Sequence, residues 1–411
     1  MRVLSITSSY PRYEGDPTAP FIESITRHVG SRGHEVHVVL PEHREWRRPP
    51  VEGDVHYHPY RYSPRPTWTP WGYSESLEGG VRIRRPLYAL APAVFVSAVR
   101  TCRRVLSRGR FDVVHAHWVI PNGPIGAYVA RRHGLPLVVS LHGSDVSVSQ
   151  QSRWLGRVAR SCFSRAAAVT APSQDLLGRA KGLGAAGFLE LIPYGADVDA
   201  FAVDAPTALL VRKRLGFGAN QTVVCGVGRF VHWKGFDYLI EAFAKASFAL
   251  PDMRLVFVGD GDLRADLQAQ VRSLGLGETV TFAGMAARDE MPGYLAAADI
   301  VVVPSIHYDG YVDGLPNVAL EALAAGKALV ATRVGGLPQL VQSGENGVLI
   351  DERDSDALAD AIVTLARDPE LRLRLGENGR ELVRESMSWD IVAERFEAVY
   401  EYAVRGQTRG V

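Results

Sequence analysis

The sequence predicts an α/β protein of two domains, each built on a parallel sheet. Three observations carry this reading. Short apolar runs alternate with longer amphipathic stretches along most of the chain, the order of strand–helix–strand units. Parallel strands joined this way need a right-handed crossover. The 411 residues suit two domains of ordinary size. After a break over 196–217 the alternation begins again at Thr222.

The first series opens with a strand at 2–8 and shows no long signal-like apolar core. A loop from Ser9 to Pro20 carries Gly15, and a helix follows over Phe21 to Ser31. The strand Glu35 to Leu40 completes a βαβ unit. Residues 42–85 are rich in proline, arginine and aromatics and are expected to be irregular. There Trp68, Trp71 and Tyr73 would either stack on sugar rings or cover the domain's own core. A helix is expected from Leu87 to Ser107, with Arg100, Arg103 and Arg104 late in it. It would lie on a membrane surface or pack on the sheet with a solvated basic end. The strands 112–117 and 136–141 are each followed by or end in a histidine, His117 and His142. Ligands of open parallel sheets sit beyond the carboxyl ends of strands, so this pair marks a candidate site. Strands at 166–171 and 189–193 finish the first sheet.

The second series begins TVVCGVGRFVHWKGF, a strand, a glycine-bearing loop and a helix. Arg229 and Lys234 sit in that loop, two cations before a helix N-terminus, which makes an anion-binding element. Strands at 254–258 and 280–283 and helices at 263–274 and 289–298 continue the series. The stretch Val301 to Thr332 then organises the domain: a buried strand, a polar loop, a helix opening at Pro316 and closing at Gly326, and another buried strand. The amides of Gly314, Leu315 and Asn317 can meet an anion there; Pro316 has none to offer. Asp313 before the helix and Glu321 inside it would repel bare phosphate and suit hydroxyl groups beside it. A diphosphate flanked by diols, as in a nucleotide sugar, fits both halves of this arrangement. A strand at 348–350, a helix at 355–367 and a last helix at about 389–404 end the chain.

Charge is divided unevenly. Residues 1–195 hold 25 Lys and Arg against 14 Asp and Glu, and the remainder 21 against 31. A basic first half suits an anionic partner, a membrane surface or a phosphorylated acceptor. No nucleic-acid motif occurs. Cys102, Cys162 and Cys225 are far apart, which predicts neither disulfides nor a cysteine zinc site and points to a reducing compartment. The longest apolar run, Leu87 to Val99, contains Pro92 and is too short to span a bilayer. Two further motifs are discounted. Gly259-Asp-Gly-Asp-Leu-Arg264 starts like a dinucleotide fingerprint but has Arg264 where the third glycine belongs. Its Asp-x-Asp is read as a turn whose Asp262 caps the next helix, so no metal is expected.

With these residues together, the chain resembles the retaining glycosyltransferases of family 4, which have the GT-B fold, over nearly its whole length. Asp313-Gly-Leu-Pro-Asn-Val-Ala-Leu-Glu321 resembles the family's Glu-x7-Glu motif with Asp in first place. Arg229 and Lys234 match its donor-loop cations, His142-Gly143 its His-Gly element, and Gly15 its N-terminal glycine loop. The resemblance implies two Rossmann-like domains facing each other across a cleft. Residues 1–195 would bind the acceptor, 196–217 link, and 218–388 bind the donor, with the last helix packing back on the first domain. It implies that Glu321 accepts hydrogen bonds from the ribose diol and that Asp313 holds hydroxyls of the transferred sugar. Arg229, Lys234 and the Gly314, Leu315 and Asn317 amides would hold the diphosphate. Gly284 and Met285 would lie by the nucleobase, and His142 near the anomeric centre. No cofactor is implied beyond the donor itself, a UDP- or GDP-linked sugar. The acceptor would be a carbohydrate, a lipid-linked sugar or a small molecule, and the setting cytoplasmic, with peripheral contact to the inner membrane face open to a basic first domain. Gln339 and Tyr194 depart from the family's usual Glu and Asn. A nucleotide-sugar epimerase or phosphorylase, and a non-catalytic sugar-nucleotide-binding protein, are the alternative readings.

Overall fold

The computed structural model describes residues 1–63, 65, 68–73, 77–78, 82–83 and 85–408. The chain forms two compact units, Met1–Pro193 with Trp389–Val411, and Tyr194–Ser388.

In the first unit the strands are β1 Arg2–Ile6, β2 Glu35–Pro41, β3 Val51–Glu52, β4 Val55–Tyr60, β5 Leu77–Glu78, β6 Arg82–Ile83, β7 Val113–His117, β8 Leu137–Ser140, β9 Ala168–Ala171 and β10 Phe188–Leu191. Eight of them form one sheet in the order β10-β9-β8-β7-β1-β2-β4-β3, while β5 and β6 pair separately. Every neighbour in the large sheet is parallel except β3 on β4. The second unit has β11 Val223–Val227, β12 Arg254–Val258, β13 Val280–Gly284, β14 Ile300–Val303, β15 Ala328–Thr332 and β16 Val348–Ile350. Its order is β13-β12-β11-β14-β15-β16, all parallel. Strands covered by helices on both faces read as unbroken apolar runs, and β14, Ile-Val-Val-Val, is buried at every position.

The strand orders create the places where ligands bind. Chain order runs outward from β1 in one direction and from β7 in the other, so the loops after β1 and β7 part there. The same reversal falls between β11 and β14. Such a switch point leaves a crevice at the carboxyl ends of the strands.

Several elements differ from expectation. Residues 196–217 are not a bare linker. They include the helix Ala205–Arg214, capped by Asp204, whose Arg212 donates to Asp299 at 2.7 Å and to the Ala297 carbonyl at 2.8 Å. That fork fastens the segment to the second unit. Of the expected irregular segment, β4 is a full strand beside β2. Its histidines and Pro59 hide it in the sequence, and Pro59 is tolerated because only two-residue β3 lies outside it. Residues 64, 66–67, 74–76, 79–81 and 84 of that segment lie outside the described residues. Trp71 and Tyr73 are buried in the domain's own core, whereas Trp68 is exposed. The helix Ala91–Leu106 packs Val94, Ala98, Cys102 and Val105 into the core and leaves Arg100, Arg103 and Arg104 in solvent. Among the described residues no helix is long and apolar enough to cross a membrane.

The helix Trp389–Thr408 lies in the first unit. Val392, Phe396, Val399 and Ala403 recur at helical spacing and pack with Ile22, Ile25 and Val29 of the helix Pro20–Ser31. Tyr400 bonds its hydroxyl to buried His115 Nδ1 at 2.8 Å, and His115 Nε2 meets Ser140 Oγ at 2.6 Å. An imidazole buried in the sheet is thus fully satisfied from the last helix. Tyr400→Phe strands that nitrogen and should cost about 1–3 kcal/mol in denaturant unfolding. Tyr402→Phe, on the exposed face of the same helix, should cost little. Equal losses in the two variants would contradict this assignment.

Candidate active site

Two loops meet at the switch point of the second unit. After β11 the chain passes through Gly228 and Arg229 to the short helical turn His232–Lys234, then Gly235 opens the helix Phe236–Ala249. After β14 it runs through Ser305 to Asp313 and enters the helix Asn317–Ala324. Glycine is needed where these loops touch. A Cβ on Gly235 (φ 64°) would stand 2.0 Å from the Pro304 carbonyl oxygen. One on Gly335 (φ 57°) would stand 1.9 Å from that of Asp313. Both positions therefore press a backbone against the loop that carries Asp313.

Lys234 Nζ and Asp313 Oδ2 form an ion pair at 2.9 Å, with both side chains largely covered. Ser305 Oγ donates to the same carboxylate oxygen at 2.8 Å. Thr332 Oγ1 at the end of β15 in turn donates to the Ser305 carbonyl at 2.5 Å. Lys234 keeps donors to spare, since an ammonium has three and one is used here. Asp313 keeps Oδ1. Arg229 lies with its guanidinium 5.5 Å from the centre of the Trp233 ring and makes no side-chain hydrogen bond among the described residues. Its surface is open to solvent on one side while protein crowds the other. Loss of hydration lowers its pKa from the usual arginine value, and the carboxylates of Asp313 and Asp262 act against that.

The helix Asn317–Ala324 has Pro316 as its N-cap and no side-chain cap. The Gly314, Leu315 and Asn317 amides donate to no protein acceptor among the described residues. Five groups can thus donate toward one anion: an ammonium, a guanidinium, and three amides at the helix entry, the positive end of a dipole. One turn into the helix, Glu321 is half-buried, and its carboxyl makes no hydrogen bond among the described residues. Burial pushes its pKa from 4.5 up to about 7, with Arg288 pulling weakly the other way. Gly284, at the end of β13, accepts from the Gly259 amide at 2.7 Å, and Met285 beyond it is 63% exposed on the same edge of the sheet.

Gly15 and His142 belong to the first unit. Gly15 (φ 83°) turns the loop after β1. Beside it Arg12 clasps Asp16, with Nε to Oδ2 at 2.6 Å. Burial would raise the Asp16 pKa; the bonds from Arg12 and Thr18 outweigh it and bring it down. His142 follows β8. Its Nε2 lies 3.2 Å from His117 Nδ1, and its ring packs on Phe21 and Trp118. Burial, reinforced by His117, holds the His142 pKa well below the histidine range, so the imidazole is neutral.

Sequence reasoning did not single out Ser305, Trp233 or Asp145 as site residues. Asp145 Oδ1 accepts from the His142 and Gly143 amides and Oδ2 from Val119, knitting the ends of β7 and β8 together. The only hint was its place two residues after His-Gly. Asp262 does not cap the next helix, which starts at Arg264 with Leu263 as an N-cap lacking a side-chain bond. Asp260 instead accepts from the Gly261 amide and from Arg264.

This arrangement is that of a known class. Residues 210–382 match the family described as "Glycosyl transferases group 1", and residues 18–195 match the "Glycosyl transferase 4-like domain". The chain therefore belongs to the family 4-like glycosyltransferases of GT-B fold, enzymes that transfer a sugar from a nucleotide-sugar donor. It is 31% identical over 405 residues to the GDP-mannose-dependent alpha-(1-6)-phosphatidylinositol monomannoside mannosyltransferase of Mycobacterium tuberculosis, covering 96% of each chain. It is 30% identical to the 2-deoxystreptamine glucosyltransferase of Streptomyces kanamyceticus, over 72% of this chain and 78% of that one. Among solved structures it resembles sucrose-phosphate synthase from Thermosynechococcus elongatus, with a TM-score of 0.79 and 23% identity over 99% of this chain and all of that one. It also resembles Anabaena HepE in complex with UDP-glucose, with a TM-score of 0.73 and 22% identity over 98% and 99% of the two chains.

The raised pKa of Glu321 predicts a pH dependence of stability. At pH well below 4.5 the folded and unfolded chains both hold this proton, and nothing is lost. Between 4.5 and about 7 the unfolded chain releases it while the folded chain keeps it, so stability falls as pH rises. At 1.36 kcal/mol per unit, the loss above pH 7 approaches about 3 kcal/mol as an upper bound. Glu321→Gln should be more stable than the parent at pH 8, and that advantage should vanish near pH 4. A stability difference independent of pH would contradict it.

Proposed function

We propose that the chain is a retaining, metal-independent glycosyltransferase whose second unit holds a GDP- or UDP-linked sugar and whose first unit presents the acceptor. The observation that carries this reading is the Lys234–Asp313 pair beside uncapped helix amides. A lone carboxylate would repel a diphosphate. Here the ammonium neutralises it, so one locus can take phosphate on Lys234 and a sugar hydroxyl on Asp313 Oδ1. Glu321, with unpaired oxygens one turn away, suits the ribose diol. Gly284 and Met285 suit the base, since an exposed thioether beside a bare backbone edge packs on a flat ring.

The chemistry follows from where charge develops. As the bond from the anomeric carbon to the phosphate oxygen breaks, its electron pair leaves with the diphosphate. The acceptor hydroxyl bonds to the same face of that carbon, and its proton passes to the departing phosphate oxygen. Fixed donors aimed at the new charge are each worth about 3–4 kcal/mol. Lys234, Arg229 and the Gly314–Asn317 turn supply them without a metal. Asp313 Oδ2 is held by Lys234 and Ser305 and its Oδ1 is assigned to a sugar hydroxyl, while Glu321 is assigned to the ribose diol. Neither is placed as a free nucleophile, which supports retention without a covalent intermediate. Neutral His142 is suited to donate a hydrogen bond to the sugar near the reacting carbon.

GDP-mannose is the first donor to test, because relatives about 31% identical are named for it. The acceptor is proposed as a lipid-linked or anionic glycan. The basic excess of the first unit, with Arg100, Arg103 and Arg104 exposed, suits such an acceptor and a peripheral contact with anionic lipid.

Lys234→Ala should lower kcat by about 100- to 1000-fold, the worth of one such donor, with the fold intact by circular dichroism. Near-normal turnover would remove Lys234 from the site. Turnover in excess chelator, assayed well below the melting temperature, should match that without it. The product anomer, read by NMR, should keep the donor's configuration; inversion or a reversible loss of activity in chelator would overturn the mechanism. A thermal-shift comparison of GDP-mannose with UDP- and ADP-sugars identifies the donor base, since a ligand bound only by the folded chain raises its apparent stability.

A further inference from the structure

At the amino ends of the first unit's strands, away from the carboxyl ends that carry the site above, three histidines and an acid converge. Residues two apart on a strand share a face, so Glu35 and His37 project together from β2, and His56 and His58 from β4. In register His37 stands opposite His56, and their rings stack at 4.6 Å between centroids. Glu35 Oε1 lies 2.8 Å from His37 Nε2 and 3.7 Å from His56 Nε2. The three ligand atoms fall within 4.8 Å of one another.

We propose that Glu35, His37 and His56 form a binding site for a divalent cation of the zinc type, with water completing a tetrahedral set. Ligand atoms about 2.0–2.1 Å from zinc in that geometry stand about 3.3 Å apart. The two Glu35 distances, 2.8 and 3.7 Å, bracket this value, and the partly exposed His56 ring turns out of its stack on His37 to bring its Nε2 onto the same ion. The outer shell is already built. His58 Nε2 lies 2.9 Å from His37 Nδ1, so a proton on Nδ1 directed at His58 leaves the Nε2 lone pair for the metal. A histidine that ligates a metal is ordinarily held through its other ring nitrogen in this way. His37 is buried and fixed, while His56 and Glu35 are partly exposed and give the ion a way in.

Arg2 is the competitor. Its Nε meets Glu35 Oε2 at 2.8 Å and its Nη2 meets Oε1 at 2.8 Å. The same Nη2 lies 3.3 Å from His37 Nε2, so the guanidinium holds the cation's place in the metal-free chain, and a bound ion must displace Nη2 from both atoms while Arg2 keeps Oε2. The ion would tie β2 to β4, the strand that anchors the aromatic segment following it. It would thereby act on stability and not on sugar transfer.

The test uses the full chain stripped with chelator and then exchanged into chelator-free buffer. Isothermal titration with zinc chloride should show one equivalent bound and a rise in melting temperature. Cobalt(II) should give the intense visible bands of four-coordinate geometry. His56→Ala, which leaves the Arg2–Glu35 and His37–His58 contacts in place, should bind zinc at least about tenfold more weakly, and His58→Ala about 10- to 100-fold more weakly. Arg2→Gln should bind more tightly. No stoichiometric zinc uptake, unchanged affinity in His56→Ala, or weaker binding in a folded Arg2→Gln would each overturn the proposal. If His37→Ala does not fold, the His56 and Arg2 variants still decide it.

Discussion

The Lys234 ammonium and the Asp313 carboxylate meet where the second sheet reverses its strand order, one from the loop after β11 and the other from the loop after β14. Opposite charges this close attract by about 5–6 kcal/mol at an effective dielectric of 20, before the cost of drying them. Desolvation returns most of that. The pair is therefore strong enough to set the two loops and weak enough to be re-partnered by a ligand that brings a phosphate to one side and a hydroxyl to the other. Gly235 and Gly335 permit the backbone contacts that hold the loops at this spacing. Ser305 and Thr332 carry the restraint on to β15.

Around that pair the molecule leaves polar groups without partners. The Asn317–Ala324 helix begins on a proline with no side-chain cap, although a capping residue is typically worth about 1 kcal/mol. Glu321 carries a carboxyl group buried far enough to hold its pKa near 7. Arg229 is partly dried, yet its guanidinium makes no hydrogen bond among the described residues. Each of these costs the free protein stability, and in the proposed function each is assigned one piece of a sugar nucleotide. Departures from good local design that cluster in one place mark function. The first unit's own switch point mixes the two conditions, for His117 Nε2 and Asn122 Oδ1 are buried there without a partner among the described residues. There Asp16 and Asp145 are saturated with donors, and the loops are held firm with a neutral imidazole set among them.

Much of this was legible in the residues. Parallel strands buried on both faces announce themselves as apolar runs, so β7, β8, β12, β14 and β15 were placed closely. Arg229, Lys234, Asp313 and Glu321 could be found because they lie just beyond such strands, and the sheet order then brings their loops together. β4 was missed because its alternation is of histidine with aromatic residues, and its neighbours are prolines and arginines. The helix at 205–214 was missed because none of its residues is buried; it lies along the helix Met291–Ala297 and is tied down by Arg212 on Asp299 and Arg214 on Glu290, which leaves no apolar periodicity to read. Trp71 and Tyr73 could not be told from sugar-stacking residues, since an aromatic ring serves either purpose and only its surroundings decide. The Glu35–His37–His56 cluster was invisible for a related reason. Its members come from two strands, and register, not spacing along the chain, puts them together.

The most direct measurement is a crystal structure of the chain with an intact or non-hydrolysable nucleotide sugar. The diphosphate should lie within about 3 Å of Lys234 Nζ, the Arg229 guanidinium and the Gly314–Asn317 amides. A sugar hydroxyl should rest on Asp313 and the ribose diol on Glu321. A diphosphate lodged elsewhere, or bridged to Asp260 and Asp262 by a metal ion, would contradict the account.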